Sequence, residues 1–161
     1  MRAAGTLLGA AVLAVSLAAC GGHRGSTTRS AAGEWTANAA GVIEQLRSDS
    51  LGAADGDTMP SARAALDDES RLYGLVVAYT DFGGCRHMAS ALGSPPPSFG
   101  ATAADLGRAC ADLQRAAALF TRAATTTDPR ALVAAARAVR AAAPLLERAE
   151  LELHHASSTH P

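Results

Sequence analysis

The sequence predicts an all-α fold, an antiparallel four-helix bundle whose central hairpin is stapled by a disulfide. Three observations lead there. Apolar residues recur at helical spacing, and strict apolar–polar alternation is absent. Two late segments carry seams whose steps alternate between three and four: Leu106, Cys110, Leu113, Ala117, Phe120, Ala124, and then Leu132, Ala135, Val139, Ala142, Leu146, Ala149, Leu153. Antiparallel bundle packing asks for this spacing. Clear breaks, "GSPPPSFG" at 93–100 and "TTTDP" at 125–129, separate the segments.

The first helical segment is expected from Glu34 to Leu51, with Trp35, Ala39, Val42, Ile43 and Leu46 on one side. "GAADGDT", residues 52–58, reads as a loop. A second helix is expected to start at Thr58-Met59-Pro60, since Thr caps well and Pro is tolerated in the first turn. Its apolar face takes in Leu66, Leu72, Leu75, Val76, Tyr79 and Phe82, and it ends near Leu92. Gly83-Gly84 is expected to weaken or kink it. Thr102, with Asp105 three residues on, reads as the cap of a third helix starting near Ala103. Asp128 caps the fourth, with Pro129 as its first residue. Pro144 lies inside that last helix, where it removes a backbone donor and is expected to bend the rod. Alanine dominates every segment, and small side chains let helix axes approach closely.

Composition excludes more than it assigns. The chain has 161 residues and a formal net charge of -1, which gives no electrostatic footprint for nucleic acid. Only six residues are aromatic, too few for a base-stacking platform. All fourteen basic residues are Arg. The absence of Lys and the wealth of Ala read as coding bias with no functional content.

The N-terminus carries the most specific signal. Met1-Arg2 is followed by an apolar run from Ala3 to Leu17. Fifteen residues fall short of the roughly 20 that a membrane helix needs, and they match the core of a secretory signal. The run closes on Leu17-Ala18-Ala19-Cys20, followed by Gly21-Gly22. These residues resemble the lipobox of bacterial lipoproteins, and with the Ala-rich composition and the two remaining cysteines the chain resembles the small lipoproteins common in actinobacteria. The resemblance covers about twenty residues, specifies an address and implies no activity. It implies a signal peptide at 1–19, cleavage before Cys20, and a lipid on the Cys20 sulfur. Each buried methylene contributes about 0.8 kcal/mol, so two acyl chains anchor stably. Residues 20–33, rich in Gly, Ser and Thr, then form a flexible tether with a reach of about 20 Å. Arg24 and Arg29 on that tether can rest on anionic headgroups, and His23 is solvated. The bundle domain spans 34–156, and 157–161 is a disordered tail.

Lipidation would leave Cys85 and Cys110 as the only other cysteines. An exported chain meets an oxidising compartment, where an even pair usually bridges. Cys85 precedes the expected helix end at Leu92 by seven residues, and Cys110 follows the expected start at Ala103 by seven. Both sulfurs then sit about two turns below the loop at one level. Closing it stabilises the fold by roughly 3 kcal/mol on the chain-entropy model. A reactive or metal-binding thiol is the competing reading, but nothing nearby lowers the thiol pKa.

The remaining constellations are weak. "CRHM", residues 85–88, collects three haem-iron ligand types, yet the Cys-x-x-Cys-His of covalent attachment is missing. Glu152-x-x-His155 has di-iron spacing, but a bundle site needs a second such pair and two further Glu residues. Glu147, Glu150 and His154 can share a face of the same terminal turns. "DFG" at 81–83 lacks every other kinase element. No G-x-S-x-G elbow and no His-x-x-x-His pair occurs, so no catalytic residue is nominated. Asp67-Asp68-Glu69 offers carboxylates for a cation, and reads more simply as a solvated face of the second helix. Arg108, Arg115 and Arg122 recur every seven residues, and so do Arg130 and Arg137. They read first as solubilising charge, and second as a ridge for an anionic partner. The expected protein is therefore a non-enzymatic, membrane-anchored binding or scaffolding module. It needs no cofactor and no nucleic acid, and its further partner is a protein or an anionic envelope component. The alternative is a carrier of haem or a metal ion held between helices.

Overall fold

A computed structural model describes residues 30–53 and 56–159. The expected signal peptide, Cys20 and the expected tether as far as residue 29 lie outside the described residues, as do 160–161.

Among the described residues the fold is all-α, with five α-helices: α1 (Ala31–Ala53), α2 (Met59–Asp67), α3 (Glu69–Ala91), α4 (Gly100–Thr126) and α5 (Pro129–Thr159). A 3-10 turn, Pro97–Phe99, precedes α4. Each long helix packs on two others: α1 and α4 each against α3 and α5. The short α2 lies against α3 and α5.

Local chemistry sets the ends. Ser30 starts α1 earlier than Glu34, because its hydroxyl accepts from the Gly33 N–H at 3.1 Å and its carbonyl from Glu34 at 3.0 Å. Thr58 caps α2 as expected, accepting from the Ser61 N–H. The second expected helix is two helices. The Asp68 carboxylate accepts from the Ser70 and Arg71 N–H groups, and its extended backbone (φ -106, ψ 109) ends α2 and starts α3. An acidic residue read as solvated surface is thus a cap. Downstream, α3 runs unbroken through Gly83-Gly84 and stops at Leu92 and Gly93, whose φ of +73 suits glycine. Thr102 does not cap α4. The helix begins at Gly100, and Thr102 is buried inside its first turn. Asp128 accepts from the Arg130 N–H at 2.9 Å and caps α5. That helix continues across Pro144 and past residue 156 to Thr159, so 157–159 are helical.

Two apolar clusters follow. The larger joins all five helices around Ile43, Leu46, Phe82, Leu106, Leu113, Leu132 and Leu146, each at most 1 % exposed. Burying a side chain of this size is worth about 1.5–3 kcal/mol. The smaller cluster, at one end, packs Trp35 on Phe99 with ring centroids 5.3 Å apart, closed by Ala39 and Leu153. Gly56 lets the α1–α2 loop touch the core. A Cβ there would stand 3.0 Å from Leu132 Cγ.

Candidate functional site

The disulfide joins α3 to α4. Cys85 and Cys110 are bonded, with Cα atoms 5.3 Å apart, and both sulfurs lie in the core. As a disulfide, Cys85 has no thiolate to offer, so "CRHM" keeps only His87, which is exposed, and Met88, which packs against the core. No three His, Cys, Asp or Glu side chains converge on a metal-sized site among the described residues. In the C-terminal group, Glu150 is hydrogen-bonded to Arg47 of α1. Glu152 is half-buried with one carboxylate oxygen unpartnered, while His154 and His155 are exposed.

The arginine ridge is partly neutralised. Arg108, Arg115 and Arg122 are exposed along α4, yet each has an acid beside it: Asp105, Asp112 at 3.9 Å and Asp128 at 3.7 Å. Arg130 and Arg137 are exposed on α5, without an acidic partner among the described residues. Asp105 is the focus of this region. It is 3 % exposed and receives Arg108 from its own helix and Arg148 of α5 at 3.1 Å. A buried carboxylate held by two guanidiniums fastens α4 to α5.

A second acidic contact has the opposite sign. Asp49 of α1 faces Asp81 of α3, which also accepts from Gln45 at 2.9 Å. Burial first, and the charge of Asp81 second, hold the Asp49 carboxyl above the ordinary carboxylate range.

Two surface features were not foreseen. Between α1 and α5 lies a groove of about 410 Å³, lined by Leu51, Val139, Ala143 and Leu146 and flanked by Arg47 and Arg140 and by Glu44 and Glu147. Its volume falls within the range of small-molecule pockets. Its flanking arginines are already engaged, Arg47 with Glu150 and Arg140 with Asp57 at 2.6 Å. The other is the outer face of α3. Tyr73, Val76 and Val77 are 71, 42 and 50 % exposed there. Beside them a groove of about 330 Å³ runs between α3 and α4, lined by Val76, Thr80, Gly83, Ala117 and Tyr79. Tyr79 stacks on Phe120 with centroids 4.4 Å apart, and its buried hydroxyl has no hydrogen-bond partner. Burial also pushes the Tyr79 phenol pKa upward. Val76, expected on the core face, stands on the outer side instead. The signal available in the sequence was that α3 is apolar on more than one side.

The chain matches no protein-family model, no curated protein and no solved structure. No helix among the described residues is long and apolar enough to cross a membrane.

Proposed function

We propose that the chain is exported, acylated on Cys20 and held at the outer face of a cell membrane, where its helices act as a non-enzymatic binding or scaffolding module. The observation that carries this reading is the Leu17-Ala18-Ala19-Cys20 motif closing a short apolar run. The Cys85–Cys110 bond supports it, because such bonds persist in oxidising compartments. The ring of α1, α3, α4 and α5, each touching two others, reads as a four-helix bundle with α2 at its flank. Such a frame suits presentation of surfaces to a partner. The five arginines at 108, 115, 122, 130 and 137 offer one such surface, with Arg130 and Arg137 the free charges for an anionic envelope component or acidic protein. Fractionation of cells expressing the full chain tests the anchor. The native chain stays with membranes through a high-salt wash, and Cys20→Ser is released. Equal membrane retention of both chains would overturn the reading.

A second reading, a carrier of a small ligand such as haem or a metal ion, is favoured by the α1–α5 groove. Its apolar lining, edged by Glu44 and Glu147 as well as by the engaged Arg47 and Arg140, suits an amphiphilic ligand better than a bare metal ion. An absorbance scan and metal analysis of the purified chain after challenge with haem or zinc decide it. A chain free of both argues against the carrier.

A further inference from the structure

The outer face of α3 carries a second, exposed seam, which its own chain touches at Gly83, whose carbonyl accepts from the Gln114 side chain of α4 at 3.3 Å. Glu69, Tyr73, Val76, Thr80, Gly83 and His87 are all exposed, and their steps run four, three, four, three, four. The spacing is that of a coiled-coil contact. Its fit to this chain's fold is poor on two counts. Large apolar groups stand in water at Tyr73, Val76 and Val77. Glycine stands inside the unbroken helix at 74, 83 and 84, although a Cβ at 74 or 84 would meet nothing within 4 Å and one at 83 only Ala117 Cβ at 3.9 Å. Internal packing therefore does not demand these glycines, and each weakens a helix interior. Glycine on a helix face does permit close approach by something outside.

We infer that this face is the interface of a two-fold symmetric dimer, with α3 of one copy antiparallel to α3 of the second. The seam is self-complementary about its centre. Antiparallel pairing sets Tyr73 against Gly83 of the second copy, Val76 against Thr80, and Glu69 against His87. The largest side chain of the seam thus meets its smallest, beside the α3–α4 groove. Tyr79 walls that groove, 3 % exposed, with a hydroxyl that lacks a partner. A phenol entering from the other copy can supply one.

Charge agrees with the same direction. Asp67, Asp68 and Glu69 cluster at the α2–α3 junction, with Arg71 at 3.7 Å from Asp68, while Arg86 and His87 stand exposed at the other end of α3. Antiparallel pairing brings unlike ends together, and parallel pairing would bring like ends together. An isologous contact of this kind closes on itself as a dimer and does not propagate.

The proposal does not depend on lipid attachment, and thiol cross-linking of the full chain in intact cells reads it either way. Val77 lies beside the two-fold axis, so Val77→Cys treated with a membrane-permeant bismaleimide is expected to give a species of twice the chain mass. Its yield should exceed by tenfold or more that of Ala141→Cys, an exposed position on α5, with the native chain setting the background. Adding Tyr73→Glu to Val77→Cys should cut the yield about tenfold while the far-ultraviolet circular dichroism of the purified chain is unchanged. Equal cross-linking at 77 and 141, an adduct of any mass other than twice the chain, or insensitivity to Tyr73→Glu would each overturn the dimer.

Discussion

Along α5 every residue of the 132–153 seam is buried, while on the outer face of α3 three large apolar side chains stand in water. Both helices are long and rich in small residues, and they differ in where their apolar groups lie around the axis. α5 has one main apolar side with arginines opposite, Leu151 alone among its large apolar residues standing exposed, so a single packing surface takes the rest. α3 is apolar on two sides. One holds Leu75, Tyr79, Phe82 and Cys85 in the core; the other holds Tyr73, Val76 and Val77. The acids follow the same division. On α4, Asp105 is buried between two arginines, whereas α3 meets α1 through two facing carboxylates. The α4–α5 hairpin is complete within the chain, and α3 is complete on its inner side only.

The comparison breaks most visibly at the seam. Leu146→Ala, at a fully buried position, is expected to cost about 2–5 kcal/mol, read as a lower urea midpoint with an unchanged slope. A loss under 1 kcal/mol would mean that the seam does not carry the fold. Next comes the bond between the two regions. The bridge joins residues 25 apart, and replacing Cys85 and Cys110 by Ser is expected to cost about 3 kcal/mol. Equal thermal midpoints with and without reductant would contradict this.

Smaller effects separate the two acids. Asp105→Ala leaves Arg108 and Arg148 without their shared acceptor, and because both guanidiniums reach solvent the expected loss is about 1–3 kcal/mol. Asp49→Asn has the opposite sign. A carboxyl whose pKa is raised in the fold binds its proton more tightly folded than unfolded, so it favours the fold at low pH and weakens it as pH rises. Asp49→Asn should match the native chain in acid and exceed it slightly at neutral pH, in urea titrations across that range. A native chain that gains on the variant as pH rises would reverse the assignment.

Periodicity made much of this legible. The α5 seam is buried at every position expected, and the α4 seam is buried at Leu106, Cys110, Leu113 and Phe120, with Ala117 and Ala124 at its edge. The cysteine register followed from counting back from one loop, since two antiparallel helices share a level there. The break at Asp68 was hidden because an aspartate cap and a solvated aspartate look alike until the backbone turns extended. Thr102 misled for a related reason: the Pro97–Phe99 turn pulls Phe99 into the smaller core and starts α4 at Gly100, ahead of the expected cap. The outer face of α3 escaped because Val76 lies one step from Leu75, and a helix apolar on two sides does not say which one is inside. The arginine ridge is visible as a heptad repeat, but of the acids beside three of its members Asp105 and Asp112 lie at other phases of α4 and Asp128 lies beyond its end.

Mass spectrometry of the chain isolated from its native cells asks the decisive question. Export and acylation require a product that begins at a lipid-bearing Cys20 and lacks the thiol hydrogens of Cys85 and Cys110. A product that begins at Met1, or one with an unmodified sulfur at position 20, would contradict them.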